Sequence, residues 1–143
     1  MSRDVNIFLS GGMGNLSFEE QTKWRSKIKN AILSGYYDCE YKPIFFDPTT
    51  HYNYEDKLHK NELEVFEYNM NALRKSDLVI VNFNDIKSIG TTMELAVAHE
   101  HRIPVVGIVG DNVELHPWFE YCVMRTCKDI REAVEYVVAF FLN

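Results

Sequence analysis

The feature that most constrains the fold of this chain is a run of four apolar residues, Leu-Val-Ile-Val, at positions 78–81. A strand without polar alternation has to be covered on both faces, which is typical of the inner strands of a parallel sheet. Other β-rich runs occur at 5–9, 43–46 and 104–109. Because parallel strands are joined by crossover connections, helices are expected between these runs.

The intervening segments have helical patterns. Ser17 followed by Glu20 is a capping box that begins one helix, which Gly35 ends. Residues 62–75 carry an apolar stripe at helical spacing, 90–101 has the composition of a helix, and Asp129 precedes a last helix. The members of the stripe are Leu63, Phe66, Met70 and Leu73.

This alternation predicts one α/β domain over residues 1–143, a doubly wound, flavodoxin- or Rossmann-like sheet of about five parallel strands with helices on both faces. A short last strand is predicted at 121–124, and residues 47–60 are predicted to form a loop in which Tyr52 and Tyr54 could stack on a base. Such sheets bind ligands at the carboxyl ends of their strands, so residues 10–15 and 82–94 are expected to line the binding crevice.

Charge and composition exclude several classes of function. The formal charge is −6, from 15 Lys and Arg against 21 Asp and Glu, which gives no electrostatic basis for gripping a nucleic-acid polymer. Residues 1–15 lack the pattern of a signal peptide, and no stretch reaches the roughly 18 apolar residues of a membrane span. We therefore expect a cytoplasmic protein with a small-molecule ligand and no membrane partner.

No metal or cofactor is expected. Cys39, Cys122 and Cys127 form an odd set without CxxC spacing, which favours reduced thiols. His99 and His101 are two residues apart on a predicted helix and point to different faces. The glycine loop after the first strand matches neither the dinucleotide fingerprint nor the P-loop.

Glu94 is the main candidate for chemistry. It lies in the segment 88–94, Ser-Ile-Gly-Thr-Thr-Met-Glu, directly after the middle strand and within the predicted first turn of the next helix. There it could be a nucleophile facing the crevice, where Gly90 and Thr91 bring the backbone close to a ligand. A carboxylate suits this role because its negative charge stabilises the cationic transition state of glycosyl chemistry. Alternatively, Thr91 to Glu94 is a capping box in which the glutamate only caps its own helix.

The glycine loop 10–15, Ser-Gly-Gly-Met-Gly-Asn, is the second candidate. Its backbone N–H groups could contact a sugar hydroxyl, a phosphate or a base edge, although a plain tight turn needs no ligand. The residues expected to line the sugar are Ser10, Gly11, Gly12 and Met13.

Asn69 and Asp85 are the remaining polar candidates. Asn69 borders the apolar stripe, where its amide needs hydrogen-bond partners that a base, Glu94 or neighbouring backbone could supply. Asp85 follows the buried strand on the crevice side, whereas Asp77 precedes that strand and is interpreted as a turn residue.

Residues 69–98, with the strand 78–81 and the Gly-Thr-Thr-Met-Glu element at 90–94, resemble the nucleoside 2-deoxyribosyltransferase family, as does the opening Ile-Phe-Leu-Ser-Gly-Gly-Met at 7–13. The resemblance implies that Glu94 attacks C1′ of a 2′-deoxynucleoside, releases the base and holds a deoxyribosyl ester until a second base accepts the sugar. It also implies a homo-oligomer in which a neighbouring subunit completes each site, a contribution expected from Trp118, Phe119 and Met124.

This chain departs from the family pattern at two positions. Asn69 and Ser88 stand where the deoxyribosyltransferases usually carry aspartates, and neither side chain is a comparable acid. In having a serine at position 88, this chain resembles the related 2′-deoxynucleoside 5′-phosphate N-hydrolases. That resemblance implies that Ser10, Gly12 and Ser88 contact a phosphate. Deoxyribosyl transfer, hydrolysis of a nucleotide and non-catalytic nucleotide sensing remain open.

Overall fold

The computed structural model describes residues 3–51 and 60–143. Tyr52 and Tyr54 lie outside these ranges. The strands are β1 (Asp4–Gly11), β2 (Lys42–Phe46), β3 (Leu78–Asn82), β4 (Val105–Ile108) and β5 (Arg125–Cys127). The helices are α1 (Phe18–Leu33), α2 (Pro48–His51), α3 (Glu62–Arg74), α4 (Ile89–Glu100), α5 (Pro117–Cys122) and α6 (Ile130–Phe141).

The five strands form one sheet in the order β2-β1-β3-β4-β5, and every neighbouring pair is parallel. This confirms the predicted doubly wound α/β fold. The chain moves outward from β1 to β2 and then returns to place β3 on the other side of β1. The carboxyl ends of β1 and β3 therefore meet at the topological switch point, where such sheets bind ligands.

Two hydrophobic cores cover the two faces of the sheet. Ile7 and Leu9 of β1 pack with α1 and α6, whereas Phe8 packs on the opposite face with α3 and α4. Alternate residues of a strand point to opposite faces, and both sets are fully buried here because helices cover both sides.

The helix boundaries follow the predicted capping signals closely. Ser17 and Glu20 exchange both hydrogen bonds of a capping box at the start of α1, and Gly35 adopts a φ of 86° just beyond its end. Asp129 caps α6 by accepting the backbone N–H of Glu132. Of the stripe on α3, Met70 and Leu73 are buried, whereas Leu63 and Phe66, in the first turns of that helix, are exposed.

Two local predictions are wrong. Residues 121–124 do not form the last strand, because His116 caps a short helix that starts at Pro117 and includes Tyr121, and the strand is Arg125–Cys127. Part of the predicted loop after β2 is helical, since Asp47 accepts the Thr49 N–H at 2.9 Å and begins α2.

None of the helices in the described ranges is long and apolar enough to cross a membrane. The three cysteines are free thiols, and Cys127 is buried in the core.

Candidate active site

Glu94 lies one turn further along α4 than the sequence predicted. Ser88 is the N-cap residue, and its hydroxyl accepts the Thr91 backbone N–H at 3.2 Å. Since α4 begins at Ile89, Glu94 is its sixth residue. The prediction of a first-turn position is therefore wrong, and so is the capping-box alternative, which requires the N-cap at Thr91.

The carboxylate of Glu94 is bound to strand β1 instead of to its own helix end. The Ser10 hydroxyl donates a hydrogen bond to Glu94 Oε1 at 2.7 Å, between groups 84 residues apart in the chain. Ser10 is fully buried, and Glu94 is 8% exposed. The hydrogen bond therefore fixes the carboxylate at the carboxyl end of β1.

A cavity of about 330 Å³ adjoins Glu94 at the switch point. Its walls come from the glycine loop, α1, the start of α2, α3, and the β3–α4 connection. The sequence-predicted residues that it brings together are Gly11, Met13, Asn69, Asp85, Ser88, Gly90 and Glu94. Gly14, Asn15, Lys87 and Ile89 also line it, within the ranges 10–15 and 82–94 expected at the crevice, as do Arg25 and Pro48.

Three predicted site residues do not line this cavity. Ser10 is fully buried, and its hydroxyl is engaged by Glu94. Gly12 donates its N–H to Asn84 Oδ1 at 3.0 Å, so that group is engaged within the protein. Thr91 is 2% exposed, and its hydroxyl has no hydrogen-bond partner among the described residues.

Burial raises the pKa of Glu94 to about 7, although the Ser10 hydrogen bond and the charge of Arg25 both lower it. A carboxylate must be ionised to act as a nucleophile, and this pKa makes both protonation states accessible near neutral pH. A buried acid with a shifted pKa beside a cleft is typical of functional sites.

Arg25 is a cavity residue that the sequence analysis did not identify. Its guanidinium is buried, and Nη1 donates to the Gln21 backbone carbonyl at 2.6 Å. Arg25 lies three residues before Ile28 and seven before Ile32, so helical spacing places it on the apolar face of α1. A charged residue at a core position of a helix was the available sequence signal.

Asp85 links the glycine loop to the β3–α4 connection. Its Oδ2 accepts a hydrogen bond from Asn15 Nδ2 at 3.3 Å, and its Oδ1 accepts the Lys87 backbone N–H at 3.1 Å. A Cβ atom on Gly12 would lie 2.7 Å from the Asp85 Cβ, so the two loops are in close contact.

Asp77, in contrast, joins β1 to the start of β3 by accepting the Asn6 N–H at 2.8 Å.

Gly11 and Gly14 both line the cavity, but only one has room for a side chain. A Cβ on Gly11 would lie 2.7 Å from Cζ2 of the buried Trp24 ring, whereas a Cβ on Gly14 would have no neighbour within 4 Å. We expect Gly11→Ala to lower the free energy of unfolding by about 1–3 kcal/mol, because the core ring has to shift. Gly14→Ala is the matched control, with an expected change within about 0.5 kcal/mol. Urea denaturation would measure both, and equal stabilities of the two variants would contradict this packing.

Trp118, Phe119 and Met124 do not line the Glu94 cavity. Trp118 and Met124 are 76% and 54% exposed, while Phe119 packs against Phe83 with ring centroids 5.5 Å apart. Their contribution to the site of a neighbouring subunit stays a prediction.

Within the described ranges, no group of three or more His, Cys, Asp or Glu side chains is arranged to hold a metal ion.

The fold and the cavity define a class of protein: a doubly wound α/β protein with a buried carboxylate at the ligand-binding edge of its sheet. A model of the family described as nucleoside 2-deoxyribosyltransferase like matches residues 4–111. The chain therefore belongs to the nucleoside 2-deoxyribosyltransferase-like family. A search of curated proteins found no match.

Solved structures with the same fold include a conserved protein from Enterococcus faecalis V583, with a TM-score of 0.70, 13% identity, and coverage of 92% of this chain and 95% of that one. A 2-deoxyribosyltransferase from Bacillus psychrosaccharolyticus has a TM-score of 0.70, 14% identity and 94% coverage of each chain. A CMP N-glycosidase from Clostridium botulinum has a TM-score of 0.61, 13% identity, and coverage of 95% of this chain and 99% of that one. At these identities the similarity shows the shared fold.

Proposed function

We propose that this protein cleaves the N-glycosidic bond of 2′-deoxynucleosides and transfers the deoxyribosyl group to a second base through a covalent intermediate on Glu94. The observation that carries the proposal is the buried Glu94 carboxylate, which Ser10 holds at the edge of the switch-point cavity. Membership of the deoxyribosyltransferase-like family supports the substrate class.

In the first step, a Glu94 oxygen attacks C1′ and the C1′–N bond breaks, with its electron pair going to the base nitrogen, which is protonated. Because Ser10 binds Oε1, we assign the attack to Oε2. The carboxylate stabilises positive charge on the sugar before the ester bond forms. In the second step, a nitrogen of another base attacks C1′, loses its proton and releases the carboxylate; water in its place gives hydrolysis.

Asn69 and Asp85 are assigned to the base. The Asn69 amide has both donors and an acceptor, which suits the hydrogen-bonding edge of a base, but it cannot supply a titratable proton. Asp85 and Glu94 are the two carboxylates that line the cavity in the described part of the chain. We assign protonation of the leaving base nitrogen to water, since both Asp85 oxygens already accept hydrogen bonds.

A second candidate function is hydrolysis of a 2′-deoxynucleoside 5′-monophosphate. Lys87 and Ser88 both line the cavity, and Ser88 begins a helix whose N-terminus attracts an anion. A 5′-phosphate at this position would neutralise the lysine.

The test is incubation with a panel of 2′-deoxynucleosides and their 5′-monophosphates, with and without a second free base, followed by chromatography of bases and nucleosides. Exchange of the base supports the transferase, while release of base and deoxyribose 5-phosphate without an acceptor supports the hydrolase. Tight binding of these compounds without turnover would contradict both and leave a nucleotide sensor.

A further inference from the structure

The guanidinium of Arg25 lines the same cavity as Glu94 and is held in one position by the strand that binds Glu94. Nε donates to the Leu9 carbonyl and Nη2 to the Gly11 carbonyl, both at 3.3 Å, and these two carbonyls flank Ser10 in the chain. Ser10 is the residue whose hydroxyl binds Glu94. The backbone of β1 therefore fixes the cation relative to the carboxylate.

Asp47 neutralises Arg25 only in part. Its Oδ1 lies 3.8 Å from Arg25 Nε, while its Oδ2 accepts a hydrogen bond from Lys29 Nζ at 2.7 Å. The same Oδ1 also accepts the N–H and hydroxyl of Thr49. Because Asp47 is shared among these donors, part of the Arg25 charge is left to act on its surroundings, where a low dielectric weakens screening.

In the described part of the chain, the other groups around Glu94 provide no comparable buried charge. Ser10 and Asn69 are uncharged, and Lys87 and Asp85 line the cavity from the β3–α4 connection, where Lys87 is exposed and Asp85 half-buried. Burial lowers the pKa of Arg25 to about 10, so the group keeps its proton at neutral pH. Arg25 is therefore the buried cation beside the carboxylate within the described residues.

We propose that Arg25 is a positioning residue that keeps Glu94 ionised inside the buried cavity, and that Asp47 moderates its effect. The proposal rests on the nucleophilic role assigned to Glu94 above. It predicts effects of opposite sign: removal of Arg25 should favour the protonated carboxyl group, whereas removal of the Asp47 charge should favour the carboxylate.

The experiment is a pH titration of the Glu94 carboxyl carbon by NMR in protein labelled with ¹³C-glutamate, with Glu94→Gln used to assign the signal. We expect Arg25→Met to raise the Glu94 midpoint by about one pH unit, and Arg25→Lys to restore part of that shift, because an opposite charge nearby lowers a carboxyl pKa by about 1–3 units. Asp47→Asn should lower the midpoint. Arg131→Met, which removes an arginine that is 84% exposed on α6, is the matched control and should leave it unchanged.

Shifts of opposite sign in Arg25→Met and Asp47→Asn would support the proposal, since a purely structural role gives no reason for opposite signs. An unchanged Glu94 midpoint in both variants would overturn it. If Arg25→Met does not fold, the Asp47→Asn shift decides, and a midpoint that stays or rises overturns the proposal. The titration requires no turnover, so its result is independent of whether the proposed function is correct.

Discussion

Glu94→Gln should lower kcat/KM for base release or exchange by roughly 10⁴-fold or more, because loss of a covalent nucleophile removes the reaction path itself. Glutamine has nearly the same shape and can still accept the Ser10 hydrogen bond, so the cavity should keep its form. The loss would be measured by chromatography of released base at saturating and limiting substrate.

Glu100→Gln is the matched control for this substitution. Glu100 is an exposed residue at the end of the same helix, so its replacement removes the same charge without touching the cavity. We expect its kcat/KM to stay within about twofold of the original protein, as surface substitutions change little. Equal activity of Glu94→Gln and Glu100→Gln would contradict the assignment of the nucleophile.

Glu94→Gln should also stabilise the protein, and the gain should depend on pH. The pKa of Glu94 is raised from 4.5 to about 7 in the folded state, so the native protein binds more protons than the unfolded chain between these values. The native state therefore loses stability as the pH rises from about 4.5 to 7, and the loss is complete above that range. Since one pKa unit corresponds to about 1.4 kcal/mol, the change from 4.5 to about 7 predicts that glutamine raises the free energy of unfolding by about 3–4 kcal/mol at pH 8.

Urea denaturation of both proteins at pH 4.5 and pH 8 tests this prediction. At pH 4.5 the glutamate is largely protonated in the native state, and the difference in the free energy of unfolding should nearly vanish. A difference of the same size at both pH values would mean that folding does not raise the pKa of Glu94. A substitution that removes such a group is expected to stabilise the protein and abolish its activity, because burial of the charge serves the reaction and costs stability.

The parts of the fold that follow from local pattern could be predicted from the sequence. The apolar run at 78–81 is the central strand β3, and the capping box at Ser17 and the N-cap at Asp129 begin helices at the predicted residues. The last strand could not be found this way. It has three residues at the edge of the sheet, two of them exposed, so it lacks the apolar signal that revealed the inner strands.

The position of the candidate site was predictable, but its internal contacts were not. Parallel strands bring residues 10–15 and 82–94 to one edge of the sheet whatever their side chains are. The hydrogen bond of Ser10 to Glu94 joins residues that are distant in the chain, and no local pattern indicates it. Helical spacing places Arg25 on the apolar face of α1, but it does not show that carbonyls of β1 accept its hydrogen bonds, because those carbonyls come from a distant part of the chain.

The most direct test of the central claim is the mass of the intact protein after exposure to a 2′-deoxynucleoside analogue with fluorine at C2′ of the sugar. Fluorine destabilises the cationic transition state and slows breakdown of the ester. We predict a mass increase equal to one fluorodeoxyribosyl group, located on Glu94 by peptide mapping and absent from Glu94→Gln. Base release from the natural substrate with no adduct on the protein, or an adduct on another residue, would contradict the claim.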